Sequence, residues 1–240
     1  MTGFIQAKPF NGVFSGPSTT VATPYTSNLT AGSKLVMIMR VGDTSATAAV
    51  SQVSDATNGN WTKDPNFPID ASTGESLHVW TFNNSAGGVN PTVTIASAEG
   101  GTTLRIGFIE IGTTLISGVT DNSAAGTSST AVTPTMPSVV TGNANDYLLS
   151  FFLSDGGNNA SFTDNAAGSN PSSGWTNRIS IAAGPKLYIS DNTVLTTGTY
   201  TEKFTGGTSD TYISGMLAVK LSATAAVITS HFLTTMGVGT

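Results

Sequence analysis

Enzyme chemistry needs a base, a nucleophile or a set of metal ligands, and this sequence is poor in all three. Its 240 residues hold two histidines, His78 and His231, and no cysteine. Histidines so far apart, without thiolates, do not make the spacing of a zinc site. No Gly-x-Ser-x-Gly run occurs, so the nucleophile elbow of the α/β hydrolases is missing. Glycoside hydrolysis needs two carboxylates across a cleft, and the glutamates are Glu75, Glu99, Glu110 and Glu202. Glu110, at the end of an apolar strand, reads as an acid in a groove or, more plainly, as an outward residue paired with Arg105 or Arg40. Asp155 with Asn158 and Asn159, or Asp164 with Asn165, offers oxygens to calcium. Those spacings match no EF-hand loop, and Asx residues suit turns for their own reasons. The reading is therefore a non-enzymatic chain with no catalytic residue, no metal ligand and no cofactor site.

Contact chemistry is better represented. His78, Trp80 and Phe82 share parity, so they lie on one face of one strand. If that face is exposed they form an apolar patch suited to a partner surface or a glycan; if it is covered they are core. Tyr188 occupies the position of His78 in the second half of the chain, which reads as a surface or rim site. Trp61 and Trp175 recur at matched places, which reads as packing rather than a sugar platform. Val227, Ile228, His231, Phe232 and Leu233 lie in a C-terminal tail, residues 223–240, that reads as a docking segment.

The elements that position these residues are written twice. Gly100-Gly101-Thr102 opens an alternating strand ending at Ile109 and Ile111, and Gly206-Gly207-Thr208 opens another ending at Leu217 and Val219. Each strand carries a small central glycine, Gly107 or Gly215. Upstream, Lys34–Met39 matches Tyr147–Phe152, Asn60-Trp61-Thr62 matches Gly174-Trp175-Thr176, and Leu77-His78-Val79 matches Leu187-Tyr188-Ile189. Self-similarity in fixed order is the signature of a repeated unit. The expected fold is all-β: an antiparallel, jelly-roll-like β-sandwich over residues 1–222, built from two homologous halves, about 19–112 and 133–221, with a pseudo-two-fold repeat. Two tandem small sandwiches are the alternative. Lys34–Val41 is apolar at almost every position, which predicts cover on both faces. Asn58-Gly59 predicts a tight turn. Further strands are expected at 76–82, 147–153, 186–190, 199–204 and 211–219. The Ser, Thr, Gly and Ala tract at 112–133 reads as a crossover.

Charged residues make up only 10% of the chain, against about a quarter in an average protein, and hydrophobic residues 38%. Hydroxyls and amides fill the difference, as on long-lived extracellular or particle-bound surfaces. A net charge of −5 with scattered Lys and Arg disfavours nucleic acid. No apolar stretch is long enough for a membrane helix, and Met1–Lys8 lacks the pattern of a secretory signal.

Thr30-Ala31-Gly32-Ser33-Lys34-Leu35-Val36, Val53-Ser54-Asp55 with Gly59-Asn60-Trp61-Thr62, Leu77-His78-Val79-Trp80, Pro91–Ile95 and Ala144-Asn145-Asp146-Tyr147-Leu148-Leu149 together resemble a loose family of β-sandwich proteins from bacterial surfaces and phage particles. The resemblance spans most of residues 3–220 and rests on turn and strand residues. It implies a virion protein, such as a capsid decoration (cement) protein or a tail or fibre component. The expected partners are the major capsid or tail protein and further copies of the chain, with a glycan as the alternative. The expected location is the virion, or otherwise an extracellular or cell surface. No catalytic residue is carried over.

Overall fold

The structure, a computed structural model, describes residues 3–14, 16–42, 50–70, 74–97, 103–112, 120–126, 129–154, 162–164, 174–182, 186–206 and 210–221. They are all-β, with no helix among the described residues and every strand pair antiparallel. The first ten strands are β1 (Phe4–Val13), β2 (Ser18–Val21), β3 (Lys34–Val41), β4 (Gln52–Asp55), β5 (Gly59–Asn60), β6 (Thr62–Lys63), β7 (Ile69–Asp70), β8 (Ser76–Phe82), β9 (Val93–Ala96) and β10 (Thr103–Ile111). The next ten are β11 (Thr120–Ala125), β12 (Ser129–Ala131), β13 (Val139–Thr141), β14 (Asp146–Ser154), β15 (Phe162–Asp164), β16 (Thr176–Ile181), β17 (Lys186–Val194), β18 (Gly198–Tyr200), β19 (Phe204–Gly206) and β20 (Asp210–Lys220).

Two large sheets dominate. One runs β1-β10-β3-β8-β6, with β7 also on β8; the other runs β11-β20-β14-β17-β16, with β12 also on β20. Smaller sheets are β2-β9-β4-β5, β13-β18 and β15-β19. An edge strand of each large sheet carries an irregularity. The register of β1 on β10 shifts between Phe4 and Gln6, and that of β11 on β20 shifts between Thr120 and Asn122. Asn58-Gly59 forms the expected turn between β4 and β5, with Gly59 at φ +87°, a conformation open to glycine.

Side-chain alternation sorts the apolar residues into three clusters. Val36, Ile38, Leu77, Val79, Ile109 and Ile111 of the first large sheet pack against Leu149, Phe151, Ile189, Ile213, Leu217 and Val219 of the second. The opposite parity of the first sheet, including Leu35, Met37, Met39, Trp80, Ile106 and Phe108, packs against Val21, Val53, Val93 and Ile95 of the β2-β9-β4-β5 sheet. The opposite parity of the second sheet, including Leu148, Phe152, Tyr188 and Met216, packs with Val139 and Phe204. The large sheets are thus inner layers with cover on both faces, and every residue of β3 and of β14 is buried.

The large sheets approach each other closely at two glycines. A Cβ on Gly107 of β10 would collide with the Ile189 side chain and lie 2.8 Å from Ile179 Cδ1, both in the other sheet. A Cβ on Gly215 of β20 would lie 2.6 Å from Phe67 Cζ and 2.6 Å from Phe151 Cε2. Each sheet thus receives a side chain of the other half over its own glycine.

Several boundaries differ from expectation. The 112–133 tract is not only a crossover: β11 and β12 lie within it and pair with β20. β1 is ten residues long and runs through Pro9, which an edge strand tolerates because one side needs no N–H donor. β17 continues to Val194 instead of turning after 190, and the expected 199–204 strand is two short ones, β18 and β19. The tail, with Val227, Ile228, His231, Phe232 and Leu233, lies outside the described residues.

Gly215→Ala should cost more stability than Gly107→Ala, because aromatic rings yield less than an Ile terminal methyl. Overpacking of this kind costs about 1–3 kcal/mol. Urea unfolding at equilibrium measures both; a Gly215→Ala variant as stable as wild type would show that the sheets do not meet there.

Candidate functional site

The aromatic face expected to meet a partner or glycan is covered. His78 is 0% and Trp80 3% exposed, and Phe82 is half-buried, all three against the cluster beneath the β2-β9-β4-β5 sheet. The rim reading of His78 is corrected in the same way: Tyr188 is also 0% exposed, because its sheet too is covered on that face. Neither His78 nor Trp80 is accessible to a partner surface. His78 Nε2 lies 2.9 Å from Ser76 Oγ, a distance suited to a base and its nucleophile. The pair is enclosed, however, and His78 Nδ1 has no orienting partner among the described residues. Burial, then the charge of Lys63, lowers the imidazole pKa to about 3, so it is neutral at ordinary pH.

The carboxylates are structural. Glu110 is fully buried, neither outward nor in a groove, and pairs with neither Arg105 nor Arg40. It accepts a hydrogen bond from Gln6 Nε2 and another, 2.6 Å, from the Thr30 N–H. Gln6 Oε1 in turn accepts from the N–H groups of Thr26 and Ser27, each at 2.9 Å. This chain ties the loop before β3 across β1 to β10. Arg40 instead pairs with buried Glu75. Asp55 caps the β4–β5 turn and accepts 2.8 Å from Trp61 Nε1, which fixes Trp61 in the core. Trp175 packs, partly buried, on the third cluster. Glu99, Asp155, Asn158, Asn159 and Asn165 lie outside the described residues, and Asp164 sits on β15. Among the described residues no group of three His, Cys, Asp or Glu is placed to hold a metal ion.

A concave surface among the described residues lies elsewhere, where the β6–β8 edge of the first large sheet meets β11 of the second. It is a cleft of about 390 Å³. Thr62, Lys63, Asp64 and Asn66 line one wall, Thr81 and Asn83 the floor side, and Thr120 to Ser123 the other wall. Hydrogen bonds cross between the walls. Asn66 Nδ2 donates to Ser123 Oγ at 2.8 Å, and Ser123 Oγ donates to Asp64 Oδ1 at 2.8 Å. Beneath them the buried Lys34 ammonium donates to Asn83 Oδ1 at 2.7 Å and Thr120 Oγ1 at 3.3 Å. Burial lowers the Lys34 pKa to about 8, with Asp64 acting in the opposite sense. The sequence analysis missed this site because its walls are some sixty residues apart and hold only Asn, Thr, Ser, Asp and Lys, residues common on any surface. The one available signal was Lys34, a charge directly before the apolar run Leu35–Met39.

At one end of the cleft Asp121 accepts from the Gly142 and Asn143 N–H groups and pairs with Lys220 at 3.1 Å. Burial raises the pKa of Asp121, but hydrogen bonds from Asp146, Gly142 and Lys220 outweigh it and hold the group low. Asp146, fully buried beside it, is pushed up to about 7, first by burial and then by Asp121.

Comparison with protein-family models, curated proteins and solved structures finds no match to this chain.

A carboxyl with a raised pKa favours the fold while protonated and loses that contribution as pH climbs through about 7. Asp146→Asn stays neutral and keeps an acceptor for Asn143 Nδ2, which donates to Asp146 Oδ1 at 3.2 Å. The variant should therefore be more stable than wild type at about pH 8.5, and the gap should narrow as pH falls below about 7 and close by about pH 4. Urea midpoints at the two pH values test this; a gap that does not grow with pH contradicts it.

Proposed function

We propose that the chain is a non-enzymatic structural protein of a phage particle, a decoration or stabilising component held on the capsid or tail surface. In this reading it consists of two jelly rolls stacked through their larger sheets about a pseudo-two-fold axis. The observation that carries the reading is strand order. Counting the main strands of the first half as β1, β2, β3, β4, β5 with β6, β8, β9 and β10, the large sheet runs first-eighth-third-sixth and its cover second-seventh-fourth-fifth. That order belongs to two interleaved Greek keys, and the second half follows it in β11-β20-β14-β17 with β13-β18 and β15-β19. Jelly rolls recur in viral capsid and lectin domains. The step from fold to particle is analogy, joined here to the resemblance carried by the turn and strand motifs.

Two further features support a structural role. The buried ionisable groups Glu110, Arg40, Glu75 and His78 are engaged in packing, hydrogen bonds and an ion pair rather than open to a substrate. The low content of charged side chains leaves a surface of hydroxyls and amides. The partners of this reading are the major capsid or tail protein and further copies of the chain, since surface decorators act as symmetric oligomers. Residues 223–240, with Val227, Ile228, His231, Phe232 and Leu233, are the proposed docking segment.

Light scattering on the full-length chain beside a version ending at Ser222 tests this. The reading predicts a defined oligomer for the full chain, its loss on truncation, and an unchanged β circular-dichroism spectrum. A monomer in both, or a truncated chain that no longer folds, contradicts it.

A further inference from the structure

The inter-sheet cleft has a counterpart at the opposite end of the sheet stack, and the counterpart is filled. Pairing registers match the positions. Lys34 stands opposite Ile111 as Tyr147 stands opposite Val219. Thr81 stands opposite Val36 as Asp191 stands opposite Leu149. Phe4 stands opposite Ile111 as Thr120 stands opposite Val219. Lys63 stands opposite Trp80 as Asn177 stands opposite Ser190, and Arg178 is the extra residue of the register shift that follows, for which β6 has no counterpart. Where β1 meets β16, the four residues close on one another. Tyr147 Oη donates to Asp191, Arg178 Nε pairs with Asp191 at 2.7 Å, and the Arg178 guanidinium lies 3.8 Å over the Phe4 ring. Where β6 meets β11, the positions of Tyr147, Asp191 and Phe4 hold Lys34, Thr81 and Thr120, no residue stands for Arg178, and the space beside Thr81 and Thr120 remains as the 390 Å³ cleft. The sheet stack does not dictate that opening; it goes with the smaller Thr120 in place of Phe4 and with the absence of a residue like Arg178.

We propose that this cleft binds one pyranose unit of a neutral glycan. Its walls carry the cation Lys63 and the carboxylates Asp64 and Asp121, with two further cations behind them, the buried Lys34 held by Asn83 and Thr120 and Lys220 paired with Asp121. A phosphate or an acidic sugar would meet the two carboxylates, and a cation would meet the lysines. A neutral polyol meets neither penalty and uses donors and acceptors together. The polar groups are also oriented in advance. Lys34 holds Asn83 Oδ1, which turns the Asn83 Nδ2 donor away from it. Ser123 takes the Asn66 Nδ2 donor, which leaves Asn66 Oδ1 as an acceptor. The Thr62 hydroxyl stands exposed at the mouth. The volume suits a single sugar ring. This inference assigns a site independent of particle attachment, and it replaces the buried His78–Trp80–Phe82 face as the place where a glycan would sit.

The test is amide chemical-shift mapping of the full-length chain with the methyl glycosides of glucose, galactose, mannose and N-acetylglucosamine, with N-acetylneuraminic acid as the acidic arm. At least one neutral glycoside should bind with a Kd on the order of 1 mM, moving amides of residues 62–66, 81–83 and 120–123. Thr120→Phe, which installs the residue of the filled counterpart, should weaken binding at least tenfold. Thr62→Trp, at an exposed position that disturbs no core contact, should do the same and keeps the test decisive if Thr120→Phe fails to fold. No binding by any neutral glycoside, shifts mapping elsewhere, binding of the acidic sugar alone, or affinity unchanged in Thr62→Trp would each overturn the proposal.

Discussion

Where β10 faces β17, backbone and not side chain forms part of the contact surface. Gly107 offers no Cβ, so Ile189 and Ile179 of the other large sheet settle onto the strand itself; Gly215 does the same for Phe67 of the first half, beside Phe151 of its own sheet. This mutual approach turns two sheets into one continuous inner core. Burying a Leu, Ile, Val or Phe side chain is worth about 1.5–3 kcal/mol. The shared cluster therefore outweighs the polar bonds at its rim, each worth about 1 kcal/mol. Once the large sheets meet face to face, their outer faces still carry Leu, Met, Trp and Tyr, and each must be covered in turn. The smaller sheets supply that cover.

Polar groups caught in this layering become fasteners. Glu110 lies fully buried between Ile109 and Ile111, and an unpartnered carboxylate there would cost several kcal/mol. Gln6 and the Thr30 N–H satisfy it, and in doing so hold the 23–30 segment against the sheet. Arg40 with Glu75, and Arg178 with Asp191, satisfy charge in the same way near strand ends. Lys34 differs. Its ammonium reaches past the core to the cleft and orients Asn83 and Thr120, so the same stack that needs a partner for a buried charge also arranges a recognition surface.

The strand pattern was legible because alternation and turn chemistry are local. Asn58-Gly59, the strand from Lys34, and the β8 and β20 strands all emerge at or near their expected places. The face of His78 was not legible. Parity says that His78, Trp80 and Phe82 point the same way, but in a stack with cover on both sides of a sheet there is no outward side to infer. The His-to-Tyr exchange with Tyr188 then looked like surface tolerance, when each residue fills its own core. β11 was missed because Thr120–Ala125 carries no apolar period; its pairing with β20 supplies what its side chains do not. The cleft was invisible for a related reason. It depends on residues such as Asn66 and Ser123 meeting across the two sheets, and on Thr120 standing where the matched position holds Phe4.

The central claim is that both large sheets share one core and therefore unfold together. Differential scanning calorimetry of the full-length chain tests it directly, since a single cooperative unit has equal calorimetric and van't Hoff enthalpies. The account predicts one transition with a ratio near unity. Two resolved transitions, or a calorimetric enthalpy well above the van't Hoff value, would mean that the halves melt separately and that the contact over Gly107 and Gly215 does not hold them as one.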